Sequence, residues 1–73
     1  MKKRSFSIAG HRTSIALEPE FWAVLETQAR AEGVSLAAFV GRIDAARETG
    51  GNLASALRVH VLKLMSKARA ETG

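Results

Sequence analysis

Apolar and polar residues alternate over residues 12–17, which is the period of a β-strand with one buried face. One side of this strand holds Thr13, Ile15 and Leu17, and the other side holds Arg12, Ser14 and Ala16. A lone strand cannot satisfy its own backbone, and nothing later in the chain has a clear strand pattern. We therefore expect the strand to pair antiparallel with the same strand of a second copy.

Residues 1–10 are predicted to form either a flexible basic arm or an extra short strand. Phe6 and Ile8 alternate with serines, but they are even-numbered, whereas Ile15 and Leu17 are odd-numbered. One continuous straight strand would place these pairs on opposite faces. A turn, bulge or break is therefore needed near Gly10, a residue type that tolerates all three.

Two helices are predicted next. Pro19 suits the first position of a helix, and Glu18 and Glu20 favour the positive end of its dipole. Apolar residues then recur at helical spacing up to residue 32, with Trp22 at the edge of a face formed by Phe21, Val24, Leu25, Gln28 and Ala29. Gly33 fits a C-terminal cap, and Ser35 fits the N-cap of a second helix. That helix is expected over about residues 36–49, ended by Gly50 and Gly51, with a buried stripe of Leu36, Phe39, Val40, Ile43 and either Ala46 or Arg47.

A third helix is predicted from Leu53 to about Ala70, capped by Asn52. Its apolar stripe is broad and consists of Leu53, Leu57, Val61, Leu64 and Ala68, widened by Ala54, Leu62 and Met65. A face this wide should not remain in water. We expect it to be buried in a homo-oligomer, where it either completes a dimer or joins dimers.

Length and composition also favour a dimer. A chain of 73 residues without cysteine is marginally stable alone, yet 47% hydrophobic residues are ample for a core shared between subunits. No run of 18 apolar residues predicts a membrane span. The basic residues 1–4 resemble the start of a signal peptide, but no apolar core follows them, so a cytoplasmic location is expected.

The charge of the chain is unevenly distributed. Residues 1–17 carry a net charge of +4, residues 18–49 carry −3, and residues 50–73 carry +3. The positive charge therefore falls on the predicted ribbon and on the third helix. Doubled in a dimer, a basic ribbon would attract phosphates, although a basic tail that only aids solubility has the same composition.

The order of strand, proline-started helix, glycine turn and serine-capped helix resembles the ribbon-helix-helix (MetJ/Arc) superfamily of DNA-binding proteins. The resemblance covers residues 11–48 and is clearest in the ribbon (12–17) and in the turn between the helices (29–35). The segments 9–14, 17–22 and 52–58 look like a small bacterial subfamily. The fold implied is mainly α: a dimer with residues 1–10 as an arm or extra strand, 11–49 as the ribbon-helix-helix domain, and 52–70 as a C-terminal helix.

The resemblance implies that an antiparallel ribbon enters the major groove and presents Arg12, Ser14 and Ala16 to base edges. Arginine can pair with guanine through two hydrogen bonds, serine discriminates poorly, and Ala16 departs from the polar residue usual at this place. Phosphate contacts are expected from the following residues: Lys2, Lys3, Arg4, Val34 and Ser35. In such a dimer the shared core would consist of Ile15, Leu17, Phe21, Leu25, Phe39, Val40 and Ile43.

The function predicted is that of a repressor-like, sequence-specific DNA-binding regulator that acts as a homodimer on double-stranded DNA. The alternative is an antitoxin or co-regulator whose C-terminal helix binds a partner protein. The sequence contains no recognisable catalytic arrangement and no glycine-rich phosphate loop, so no enzyme activity and no cofactor are expected. His11 and His60 lack a second ligand at metal spacing, and no metal site is predicted.

Overall fold

The chain begins with an antiparallel β-hairpin that is followed by three helices. The computed structural model describes residues 1–47 and 52–72, with side chains up to residue 69. Strand β1 (Lys2–Ile8) pairs with strand β2 (His11–Leu17), from Lys2 opposite Leu17 to Ile8 opposite His11. The helices are α1 (Pro19–Ala31), α2 (Leu36–Ala46) and α3 (Leu53–Thr72). The predicted class, a mainly α chain with a short N-terminal ribbon and a third C-terminal helix, is confirmed.

A two-residue turn joins the strands of the hairpin. Ala9 and Gly10 both have positive φ, at 52° and 80°, as the central residues of a type I′ turn require. Because the turn holds two residues, even-numbered positions of β1 lie opposite odd-numbered positions of β2. Phe6 and Ile8 therefore share a face with Ile15, although Phe6 and Ile8 are even-numbered and Ile15 is odd-numbered.

The hairpin corrects the expectation that the ribbon strand is alone in its chain. Of the two alternatives for residues 1–10, the structure has the strand, and β2 finds a partner in the segment that precedes it. Among the described residues the sheet has two strands, so this pairing occupies one edge of β2. Pairing of β2 with a second copy would use the other edge, and it stays a prediction.

The helix starts follow the residues that predicted them. Pro19 lies in the first turn of α1, where the carbonyl of Glu18 accepts hydrogen bonds from the backbone amides that follow. Gly33 has a φ of 71° after α1, and the Ser35 hydroxyl caps α2 by accepting from the Ala38 amide at 3.0 Å. Helix α2 ends at Ala46, earlier than expected, and the predicted extension of its buried stripe to Ala46 or Arg47 is wrong because both residues are exposed at the helix end. The predicted stop at residues 50–51 lies outside the described residues.

Trp22 lies at the centre of the buried face of α1, so its predicted place at the edge of that face is wrong. Its side chain is 2% exposed, whereas Phe21 is only half-buried. Strand β1 accounts for the difference, because the Trp22 Nε1 donates a hydrogen bond to the Lys2 carbonyl at 2.8 Å. The Phe6 ring also packs on the indole, with 5.8 Å between ring centroids.

The first half of α3 belongs to the core of its own chain. Leu53, Leu57 and Val61 are buried, and α3 packs against α1, α2 and β2. The rest of the core draws on every other element of the chain: Ile8, Ile15, Leu17, Trp22, Leu25, Ala29, Phe39 and Val40. One chain thus uses one side of α3 to close its own core, and the expected burial of this helix in a homo-oligomer stays a prediction.

Leu57→Ala should lower the free energy of unfolding by about 2–5 kcal/mol, because a fully buried leucine leaves a cavity when it is shortened. Leu62→Ala on the same helix is the matched control, since Leu62 is 64% exposed and should change stability by about 0.5 kcal/mol or less. Urea unfolding followed by circular dichroism measures both variants. Equal losses would contradict the placement of α3.

Candidate nucleic-acid interface

The side of the hairpin that faces away from the helices carries six residues, which we call the outer face. They form the cross-strand pairs Lys3–Ala16, Ser5–Ser14 and Ser7–Arg12. Five of the six are exposed and Ala16 is half-buried. The outer face contains two cations, three serines and no acid, a composition suited to a polyanion.

The three predicted base readers lie together on this face. Arg12, Ser14 and Ala16 alternate along β2 and point away from the core that buries Ile15 and Leu17. The hydroxyls of Ser14 and Ser5 are 3.0 Å apart, within hydrogen-bond distance. Ser5 and Ser7 were not among the predicted contacts. Their alternation is visible in the sequence, but the face they occupy depends on the length of the turn.

The predicted basic cluster at the N-terminus is divided between two faces. Lys3 lies on the outer face, whereas Lys2 and Arg4 alternate to the side of the helices. Arg4 is half-buried, forms an ion pair with Glu26, and lies over the Trp22 ring at 5.3 Å from its centroid. The structure therefore places Lys3, and not Arg4, beside the predicted base readers.

The start of α2 offers fewer phosphate donors than predicted. The Val34 amide donates to the Ala29 carbonyl at 3.0 Å, which closes the end of α1. The Ser35 hydroxyl is exposed and accepts from the Ala38 amide, so its own proton can still be donated. The amides of Leu36 and Ala37 lie in the first helical turn and have no acceptor within the helix. A phosphate at this place would therefore be held by Ser35 and the first turn of α2.

Two arginines of the helices are paired with acids, unlike the cations of the outer face. Arg58 donates two hydrogen bonds to a carboxylate oxygen of Glu18, and Arg42 pairs with Glu32. The pKa of Glu18 is lowered, chiefly by a hydrogen bond from the backbone and further by Arg58. The pKa of Glu32 is lowered by hydrogen bonds from Gln28 and then Arg42. Within the described part of the chain, Lys3 and Arg12 form no such ion pair.

A family model described as the ribbon-helix-helix domain matches residues 1–65. The chain belongs to this family. Ribbon-helix-helix domains typically dimerise and bind DNA, and they are not typically enzymes. Comparisons with curated proteins and with solved structures gave no significant match. The matched range is wider than residues 11–48, so both strands and most of α3 lie within this ribbon-helix-helix domain.

The predicted dimer core of the ribbon-helix-helix domain divides into two groups by burial. Five of its members are already buried within one chain: Ile15, Leu17, Leu25, Phe39 and Val40. Phe21 and Ile43 are half-buried and retain surface. Phe21 borders an apolar groove with Leu62 and Met65 of α3. These half-buried residues are the members of the set that can still gain contacts from a second copy.

His60 packs in a groove between α2 and α3 of about 440 Å³. Its ring meets the Phe39 ring edge-on, with 5.4 Å between centroids. Burial lowers the pKa of His60. The positive charges of Arg42 and Lys63 lower this pKa further, whereas the negative charge of Glu32 raises it.

Among the described residues, no group of three His, Cys, Asp or Glu side chains could hold a metal ion. Over the same residues, no helix combines the length and apolarity needed to cross a membrane.

The stability of this ribbon-helix-helix domain should fall as the pH drops through the titration of His60. Because the pKa of His60 is lowered in the folded chain, the unfolded chain takes up this proton at a higher pH, near the ordinary histidine pKa of about 6.5. The free energy of unfolding should therefore decrease below about pH 7 and level off once the folded histidine is also charged.

His60→Gln should remove much of this pH dependence, because the uncharged side chain takes up no proton in either state. Melting temperatures between about pH 7.5 and pH 5.5 test the effect. His11→Gln is the control, because His11 lies exposed beside the turn of the hairpin. Loss of the pH dependence in His11→Gln instead would contradict the assignment to His60.

Proposed function

We propose that this chain is a sequence-specific, repressor-like regulator that acts as a homodimer on DNA in the bacterial cytoplasm. The observation that carries the proposal is the outer face of the hairpin, where the three predicted readers lie together with a second cation and no acid. Membership of a family that typically binds DNA supports the same function.

The dimensions of the hairpin support a contact in the major groove. Neighbouring strands lie about 4.7–4.9 Å apart, and the major groove is about 12 Å wide and admits a two-stranded ribbon. In this arrangement Arg12 donates to guanine, Ser14 makes a less selective hydrogen bond, and Ala16 contacts a thymine methyl group. Base edges are then read chiefly by Arg12, while Ser35 and the first turn of α2 hold a phosphate.

Dimerisation is proposed to proceed through antiparallel pairing of β2 with its copy. One edge of β2 is occupied by β1, and the other edge carries the backbone groups that such pairing would use. The resulting four-stranded sheet would present two outer faces side by side, with β2 and its copy at the centre of the groove and the two β1 strands, about 14 Å apart, at its walls. Two copies of Lys3 and Arg12 would then act on one DNA site, which strengthens the attraction to phosphates.

Arg12→Ala should weaken binding to a preferred duplex by about 1–3 kcal/mol and reduce the preference for that duplex over others. Lys67→Ala is the control of equal charge, because Lys67 is an exposed cation on α3. Fluorescence anisotropy with duplexes selected by the wild type from a random library measures both effects. Equal binding of all duplexes by wild type and Arg12→Ala would contradict reading by the ribbon.

A second candidate function is binding of a protein through α3, either as an antitoxin-like module or between dimers. Val59, Leu62 and Met65 are exposed at 45%, 64% and 49%, although the opposite side of the helix is buried. Leu62 and Met65 also border the apolar groove beside Phe21. This side of α3 is therefore an apolar surface that stays exposed after the core of the chain has formed.

Replacing both Leu62 and Met65 by Gln should reduce the size of the assembly if α3 joins copies of the chain, because the apolar contact is lost. The fold should persist, since both side chains are exposed. Sedimentation velocity measures the size with and without DNA, and Lys63→Gln with Lys67→Gln on the same helix is the control. An unchanged assembly would contradict a contact between copies and favour an outside partner.

A further inference from the structure

We propose that Lys3 of β1 supplies the polar contact to base edges that Ala16 of β2 lacks. The DNA-reading surface of one chain would then be built from both strands of the hairpin. This inference rests on the proposed function, because it requires the outer face to meet the major groove.

The pairing of the strands places Lys3 directly opposite Ala16. Side chains opposite one another in an antiparallel pair have Cβ atoms about 4.5–5.5 Å apart. Ala16 ends at its Cβ atom, so the aliphatic part of Lys3 can extend across it toward the middle of the ribbon. A longer residue at position 16 would occupy that space. The small side chain that weakens reading by β2 therefore makes room for a cation from β1.

The neighbouring cations of β1 cannot take this place. Lys2 and Arg4 point to the other face of the strand, because successive side chains alternate. Arg4 is also engaged by Glu26 and by the Trp22 ring. Lys3 is exposed, and in the described part of the chain no acidic side chain pairs with it. Of the three basic residues at positions 2–4, Lys3 alone shares the outer face with Arg12 and Ser14.

The chemistry of lysine suits a base edge as well as a phosphate. Its ammonium group can donate to the O6 and N7 atoms of guanine, the acceptors that arginine also uses. With β2 paired to its copy, β1 lies about 7 Å from the centre of the sheet, so the Lys3 ammonium group meets base edges by reaching inward across Ala16. Arg12 and Lys3 lie toward opposite ends of the outer face, separated by the Ser5–Ser14 pair. The two cations would therefore select guanines at different positions of the site.

The test compares Lys3→Ala with Lys2→Ala, which removes the same charge from the adjacent residue on the opposite face. Both variants are titrated against a duplex selected by the wild type from a random library and against an unrelated duplex, at two salt concentrations. Lys3→Ala should weaken binding to the selected duplex by about tenfold or more, with little effect on the unrelated one. Lys2→Ala should weaken both duplexes alike and by less.

A double variant, Lys3→Ala with Ala16→Lys, moves the cation from β1 to β2 on the same face. Recovery of the preference for the selected duplex would support a role of the ammonium group in reading bases. Melting temperatures of all variants confirm that the hairpin persists, as expected for the exposed Lys3.

Two results would overturn the inference. Equal effects of Lys3→Ala and Lys2→Ala would show that only net charge counts, and an equal loss on both duplexes with Lys3→Ala would show a phosphate contact. A wild-type chain without any preference among duplexes would instead contradict the proposed function itself. If Arg12→Ala lowers the preference while Lys3→Ala does not, the proposed function stands and this inference fails.

Discussion

The antiparallel pairing of β1 with β2 is the interaction on which the rest of the structure depends. A strand with one apolar face needs a partner for its backbone and a cover for its side chains. Strand β1 provides the first within the same chain, and the helices provide the second by burying Ile15 and Leu17. The same pairing places Phe6 on Trp22 and so fixes how α1 lies under the hairpin. The pairing also brings the six residues of the outer face together on the side of the hairpin that faces away from the helices.

The local elements could be predicted from the sequence because each depends on neighbouring residues. Pro19 and Ser35 begin helices through their own chemistry, and both helices begin as expected. The strand predicted at residues 12–17 followed from alternation alone, and β2 (His11–Leu17) contains it. The pairing of that strand could not be predicted in the same way. The even-numbered apolar residues of β1 and the odd-numbered apolar residues of β2 share a face only when the turn between the strands has the right length, here two residues. Ala9 gave no sign of its positive φ, which is uncommon for a residue with a Cβ atom.

Two differences between the prediction and the structure arose from the missing contact with β1. Without β1 in place, Phe21 and Trp22 could not be ranked by burial, and Arg4 could not be separated from Lys3. The Val34 amide was predicted as a phosphate donor from its position before a helix, but the end of the preceding helix uses it. The central stripe predicted for α3 contains its three buried residues, Leu53, Leu57 and Val61. Periodicity did not show that one chain alone would bury them, since this face was expected to be buried in a homo-oligomer.

Trp22 is the single tryptophan of the chain, and it lies beneath β1 with its Nε1 bonded to the Lys2 carbonyl. Its emission spectrum therefore reports on the attachment of the hairpin to α1 without any added label. Separation of β1 from the helices would expose the indole to water and shift its emission to longer wavelength, even if the helices stayed folded. The molecule thus carries its own optical probe at the contact that positions its ribbon.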